Sequence, residues 1–189
     1  MSSFITNFKS GFNGGTRSNR FLVKGPIPYS EPHRNTFTNF HIRSTIMPDV
    51  NTTTLTYDYF GRKFHYPGEK QYSSWAFVVL DDTGSNNLWG SFARWQNKIN
   101  EHTTNQTAVP ITNAQTDYKA YNWEIVHLDL NGNTTSPNKT FVLHGCWPVQ
   151  VGQLNLNMAK PNNMNTFQVT IMFDYLEIKG KANSLITRR

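Results

Sequence analysis

Apolar residues along this chain alternate with polar ones more often than they recur at helical spacing, so strands dominate the elements the sequence predicts. Phe21-Leu22-Val23 opens a first strand, and Gly25-Pro26-Ile27-Pro28 closes it because proline cannot donate to a ladder. Phe37, Phe40 and Ile42 lie in a second, longer strand that runs to Met47-Pro48. Trp75-Ala76-Phe77-Val78-Val79-Leu80 is a buried strand stopped by Asp81-Asp82-Thr83-Gly84. Trp123 to Leu130 and Thr140 to Trp147 pair as a hairpin around Asn131-Gly132 and Pro137, and Trp147-Pro148 ends its second strand. A short amphipathic strand (Leu154, Leu156, Met158) follows. The last strand alternates Phe167, Val169, Ile171 and Phe173 against Gln168, Thr170 and Asp174.

Residues 54–66 give the sharpest local prediction. Two aromatic runs flank Gly61-Arg62, a two-residue loop with glycine first, which fits a type II′ turn. That register sets Tyr59 opposite Phe64 and Tyr57 opposite Tyr66 on one face, with Asp58 facing His65 on the other. Cross-strand pairs of this kind contribute roughly 0.2–1 kcal/mol each, and an isolated two-stranded ribbon is marginal in water. Something therefore has to pack on it, either its own domain or another subunit.

Helical spacing occurs convincingly once. Leu88, Trp89, Phe92, Trp95 and Ile99 share a face, with Asn87, Arg94, Asn97, Lys98 and Glu101 opposite, and Ser85 is placed to cap a helix reaching about His102. Residues 103–120 are polar and turn-like, long for a connection. The first sixteen residues read as an arm with at most one helical turn (Phe4, Ile5, Phe8) ahead of Gly11, Gly14 and Gly15. The sum is a mainly β chain of about eight antiparallel strands, a sandwich or barrel with a single α-helix packed on it.

Composition narrows the class further. Aromatics at 14% compensate for an apolar fraction of 37%, so 189 residues suffice for one domain with a core. The one cysteine, Cys146, excludes an internal disulfide framework and reads as a small buried hydrophobe. No window approaches the roughly 18 apolar residues of a membrane span, and the first residues lack a signal peptide's regions. The expectation is a soluble product in the cytoplasm where it is made. The formal charge of +6 sits at the ends: residues 1–50 hold six Lys/Arg against two acids, and residues 175–189 hold four against one. No nucleic-acid-binding signature accompanies this charge, so solubility or an acidic protein neighbour is preferred over DNA binding.

Chemistry is hard to find. His33, His41, His65, His102, His127 and His144 form no ligand pair at helical spacing. The best constellation, His127 with Asp129 facing His144, falls short of the three or four ligands a metal site needs. Asp81-Asp82 suits helix capping and the helix dipole better than a catalytic carboxylate pair. There is no GxSxG, phosphate loop or Cys–His pairing, so neither catalytic residues, metal ligands nor a cofactor is expected. The aromatic density admits a glycan-binding sandwich, but Trp75, Trp89, Trp95, Trp123 and Trp147 all fall where burial explains them. Exposed tryptophans would mark that alternative.

Several pieces carry a family resemblance. Arg17-Ser18-Asn19-Arg20-Phe21-Leu22-Val23 follows the arm, and Met47-Pro48 leads into the hairpin. Gly68 through Asp82 and Phe92-Ala93-Arg94-Trp95-Gln96 come next, and Gly145-Cys146-Trp147-Pro148 through Leu154 and Asn165 through Tyr175 are the most specific. Together they resemble the tail tube proteins of contractile-tailed bacteriophages, a family related to secretion-system tubes. The resemblance implies a structural virion subunit: hexameric rings whose inner strands pool into one barrel, stacked into a hollow tube that conducts DNA during ejection. It divides the chain into an arm (1–16), a β-barrel domain (17–178, with hairpin 54–66 and loop 103–120) and a basic tail (179–189).

Assembly in the host cytoplasm, with sheath, baseplate and terminator proteins as partners, follows from the same likeness, with DNA as passing cargo and no membrane. Tyr57, Tyr59, Phe60, Arg62, Phe64 and Tyr66 become expected inter-subunit or inter-ring contacts, unless they fill the subunit's own core. A positively lined bore would hold phosphates, so Arg17, Arg20, Lys179 and Lys181 are expected on the outside or on ring faces, with Thr and Asn lining the bore. A baseplate-proximal tube initiator and a monomeric glycan-binding module remain alternatives.

Overall fold

The computed structural model describes residues 5, 6, 10, 16–29, 41–82, 87–106, 118–129, 132, 139–158 and 164–180. Its strands form two four-stranded sheets and a separate ribbon, all with antiparallel pairing. The first sheet runs β1 (Phe21–Lys24), β6 (Trp123–His127), β7 (Lys139–His144), β10 (Tyr175–Gly180). The second runs β2 (Ile42–Thr45), β5 (Trp75–Leu80), β9 (Thr166–Met172), β8 (Trp147–Val151). The ribbon pairs β3 (Val50–Tyr59) with β4 (Arg62–Tyr72). Helix α1 (Leu88–Ile99) lies against β8. This is the mainly β, one-packed-helix class the alternation predicts.

Every second residue explains the core. Trp75, Phe77 and Val79 of β5 and Phe167, Val169 and Ile171 of β9 are buried while their neighbours are less so, as a pleated sheet with one inward face requires. Trp123 of the first sheet meets Trp75 at 5.6 Å and Phe77 at 5.9 Å between ring centroids, which joins the sheets. Phe92 of α1 lies within 6.0–6.4 Å of Phe77, Trp123 and Phe167 and closes the gap between them. The buried indoles also find acceptors, Trp95 Nε1 donating to Tyr118 O (2.7 Å) and Trp123 Nε1 to Pro26 O (3.0 Å). Each N–H so satisfied avoids the desolvation penalty of an orphaned donor.

Several boundaries differ from the sequence pattern, each for a local reason. Asn87, not Ser85, caps α1: its Oδ1 accepts from Gly90 N at 2.8 Å, while Ser85 lies outside the described residues. The helix stops at Ile99 because Asn100 is extended, short of His102. Neither Asp81 nor Asp82 is the cap, and Asp82 Oδ2 sits 3.6 Å from His41 Nε2. Of the expected second strand only Ile42–Thr45 is paired, and Phe37 and Phe40 lie outside the described residues.

Thr140 to Trp147 is two strands, not one. Gly145 adopts φ +69°, which ends β7, and Trp147 starts β8 in the other sheet. Pro148 consequently does not stop a strand; it lies within β8, at the sheet's edge, where its missing N–H leaves no ladder bond unmade. Leu154 to Met158 form no strand. Tyr175–Gly180 supplies a strand the pattern did not separate from β9, so strand pairing runs two residues past 178 and includes Lys179. Among the described residues there are ten strands where about eight were expected.

One junction holds these corrections together. Asp174, between β9 and β10, donates its N–H to His144 O (2.8 Å), and its carboxylate receives Lys119 Nζ at 2.8 and 2.9 Å. A Cβ on Gly145 would run into that carboxylate, so glycine is required both by its backbone angle and by the close approach.

Candidate assembly surfaces

The β3–β4 hairpin turns one residue earlier than its sequence suggests. Phe60 (φ 49°) and Gly61 (φ 74°) occupy the loop, both left-handed, which is the type I′ pattern whose twist suits a two-residue hairpin. The glycine is thus second, not first, and the bulky Phe60 takes the strained position. Tyr57 now faces Phe64, Leu55 faces Tyr66 and Tyr59 faces Arg62, while Asp58 faces Lys63 rather than His65. His65 is opposite Thr56, with Oγ1 and Nδ1 3.2 Å apart. Moving the turn by one residue shifts each partner by two, so the parity survives and the aromatic ladder keeps its common face. Tyr57 and Tyr66 meet edge to face at 5.9 Å, and Tyr59 and Phe60 at 4.5 Å.

All of these rings lie outside the subunit's core. Tyr59 is 65% exposed and Phe60 88%, and Tyr57, Phe64 and Tyr66 are exposed as well. Leu55, which the aromatic pattern did not single out, shares their face by register and is exposed too. The base of the ribbon, by contrast, is anchored: Ser73 N donates to Asp49 O (3.4 Å), and Tyr72 packs on Phe173 at 5.7 Å. The Ser73 hydroxyl beside Asp49 also holds that carboxyl below its ordinary pKa.

The two sheets differ in charge. The four strands of the second sheet carry a single charged residue, Arg43; its surface away from the core presents Ala76, Val78, Thr166, Gln168 and Thr170. The first sheet carries Lys24, Glu124, Lys139, Glu177 and Lys179. Arg17 is exposed in the turn before β1, where Arg20 N donates to Arg17 O at 3.2 Å. Lys179 lies on β10, its Nζ 3.8 Å from Glu177. Lys181 lies outside the described residues, as do most of the 103–120 loop and the arm. Each sheet ends in strands (β1 and β10, β2 and β8) beyond which no further strand pairs among the described residues. Trp89 Nε1 and Gln96 Nε2 of α1 do reach the carbonyls of Gly152 and Val149, both at 3.0 Å.

The histidine constellation set aside on sequence grounds is not brought together. His127 is opposite Lys139 in the β6–β7 ladder, which carries His144 to the far end, stacked on Tyr175 at 4.4 Å. Among the described residues no three His, Cys, Asp or Glu side chains converge as a metal site would need. Cys146 is buried, and burial, then the Asp174 charge, pushes its thiol well above the usual range, which leaves it unreactive. Trp75, Trp95 and Trp123 are fully buried, Trp147 is partly buried and Trp89 reaches the surface, so the described residues show no flat platform of exposed tryptophans such as a glycan binder displays.

Comparison with known proteins identifies the family and the fold. The sequence pattern of the phage tail tube protein family matches residues 16–179. Tail tube protein gp19 of Enterobacteria phage T4 is 24% identical over 178 residues, covering 92% of this chain and 99% of that protein. Among solved structures, the PVC sheath/tube terminator of an extracellular contractile injection system, in its extended state, matches with a TM-score of 0.62 and 18% identity, over 89% of this chain and 99% of that one. A chain of the anti-feeding prophage baseplate matches with a TM-score of 0.63 and 15% identity, over 89% and 98% of the two chains. At such identities the structural likeness speaks for the fold.

Proposed function

The chain belongs to the phage tail tube protein family, and from that premise we propose that it is the repeated subunit of a tail tube, with six copies to a ring and rings stacked into a conduit for DNA. The observation that carries the reading is the β3–β4 face, where Leu55, Tyr57, Tyr59, Phe64 and Tyr66 are exposed beside a complete core. Contiguous apolar surface of this kind calls for a protein partner. Phe60 and Arg62, at the end of the same ribbon, belong to that contact.

The charge contrast between sheets orients the subunit. A bore must pass phosphates without holding them, and counterion release makes every lysine or arginine in it a binding site. The second sheet, with its glutamine and threonine surface, suits the bore. Ring closure then brings β2 of one copy toward β8 of the next, which removes edges that would otherwise recruit foreign strands. Arg17, Arg20, Lys179 and Lys181 face outward or along ring faces, where sheath, baseplate and terminator proteins are the partners. The chain's place is the virion tail, after assembly in the host cytoplasm, and its work is structural.

Electron microscopy of the purified full chain tests the reading. Hollow rods are expected. Rings that never lengthen favour a baseplate-proximal initiator, and a lone 21.7 kDa particle at high concentration overturns the proposal. A density map with any of the four basic residues lining the bore overturns the orientation. Gln168→Lys sharpens it: rods should still form, yet retain added DNA in a salt-dependent way that the parent rods do not.

A further inference from the structure

The β3–β4 ribbon is not regular along its length. Between the pairs Thr52–Lys70 and Thr54–Pro67, β3 advances two residues and β4 three, so Thr53 faces both Gly68 and Glu69. Two residues against one is a β-bulge, which bends the bulged strand and increases its local twist. This bulge is clamped. Thr53 Oγ1 donates to Glu69 O at 3.1 Å, and a Cβ on Gly68 would run into the same hydroxyl oxygen. Pro67 beside it has no N–H for the ladder, and bulges are among the few places where a sheet accepts proline. Thr53 is the half-buried residue of β3, and Gly68 and Tyr72 are those of β4; the other residues of both strands are exposed.

The extra residue also decides faces. Counting by twos along β4 alone sets Tyr66 on the same face as Tyr72, which packs on Phe173. Register separates them. Tyr72 is opposite Val50 and Tyr66 opposite Leu55, and those two partners have opposite parity along the unbroken β3. The base of the ribbon therefore turns one face toward the core, and beyond the bulge the ladder occupies the other.

We propose that the bulge aims the aromatic ladder, an inference that rests on the tube reading: Gly68 and Glu69 are positioning residues, and Thr53 holds them. The ladder's own ring pairs all lie beyond the bulge, so they move with the tip and do not set its direction. From Thr54 to Tyr59 the blade extends about 20 Å at the usual strand rise, so a turn of about 20° at its root, the size of an ordinary inter-strand twist, swings the tip by several ångström. A displacement of that size takes the ladder out of register with any surface built to receive it.

Deletion of Glu69 tests this in the full chain. It evens the two strands, so every pair on either side keeps its partner and its face while the bend is removed. Nitroxide labels on Arg62→Cys at the tip and Arg94→Cys on the exposed side of α1 report the ribbon's direction, in labelled chain diluted with unlabelled; buried Cys146 gives little background. The parent should give one narrow distance, and the deletion should shift it by several ångström with the unfolding midpoint unchanged. An unshifted distance overturns the proposal whatever the chain assembles into. Thr53→Ser, which keeps the donor, should preserve the narrow distance and Thr53→Val should broaden it. A parent distance already as broad as that of Thr53→Val would mean a swinging hinge and also overturns the proposal.

Micrographs supply the second readout. The deletion should abolish rods or change their twist from ring to ring, while Glu69→Ala, which keeps the residue and removes its carboxylate, should form rods of parental twist. Parental rods from the deletion, or equal loss from Glu69→Ala, overturn the aiming and leave the tube reading standing. A distance that shifts on deletion in a parent chain that stays monomeric supports the aiming and overturns the tube reading alone.

Discussion

The aromatic cluster of the core and the aromatic ladder of the hairpin use the same residue types at similar spacing, yet one is sealed and the other bare. Trp75, Phe77, Phe92 and Trp123 touch at 4.4–6.4 Å, and the hairpin's pairs at 4.5–5.9 Å. What separates them is where the contacting residues come from. The core rings arrive on β5, β6 and α1, and their indole N–H groups reach Thr45, Tyr118 and Pro26. The hairpin rings arrive from two adjacent strands and stay exposed outside the core cluster of the described residues. Ring pairing alone therefore does not locate a core; long-range closure does, and a local aromatic surface without it is reserved for another molecule.

That contrast can be broken most severely at Trp123. Trp123→Ala removes the ring that joins both sheets to α1, and a truncation of this size in a packed core costs about 3–5 kcal/mol. Denaturant unfolding should show most of the domain's stability gone. Gly145→Ala comes next. It places a Cβ where the Asp174 carboxylate lies and holds alanine at φ +69°, and such strain costs about 1–3 kcal/mol. The same unfolding measurement should rank it clearly below Trp123→Ala.

Legibility followed the same division between local and long-range. The period-two burial of β5 and β9 and the apolar stripe of α1 were readable because each encodes its own inward face. The hairpin was readable as a ribbon with a one-sided ladder, and its turn was misplaced only because a left-handed Phe60 has no signature in the sequence. The break at Gly145 and the extra strand β10 were not readable. The break rests on the left-handed backbone of Gly145, and β10 on pairing with β7 more than thirty residues away, which no local pattern announces. Leu154 to Met158 misled for a related reason: an alternating run that looked like a strand finds no partner to pair with among the described residues.

Lys119→Ala probes the junction at Asp174 with a smaller effect. The pair is partly exposed, at 25% and 49% for the two side chains, so its contribution is about 0.2–1 kcal/mol. The hydrogen bond to Asp174 raises the lysine's pKa in the folded chain. Its stabilisation is therefore fully present below the ordinary lysine value of 10.5 and is lost as pH rises through the raised one. Alkaline unfolding should narrow the gap between parent and variant, while the gap stays constant near neutrality.

The smallest effect on folding is expected where the effect on assembly is largest. Tyr57→Ser with Tyr59→Ser strips two rings from the ribbon and leaves the core contacts of both sheets in place. Cross-strand pairs contribute roughly 0.2–1 kcal/mol, and that is felt locally, because the ribbon can open without the sandwich. The unfolding midpoint should stay within about 0.5 kcal/mol of the parent, the range of a surface change, while rods disappear from micrographs. A loss comparable to Trp123→Ala would mean that the ladder packs into the subunit in solution, and the distinction between the two aromatic regions would collapse. An unchanged midpoint with undiminished rods would instead leave the distinction intact and move the stacking contact elsewhere on the molecule.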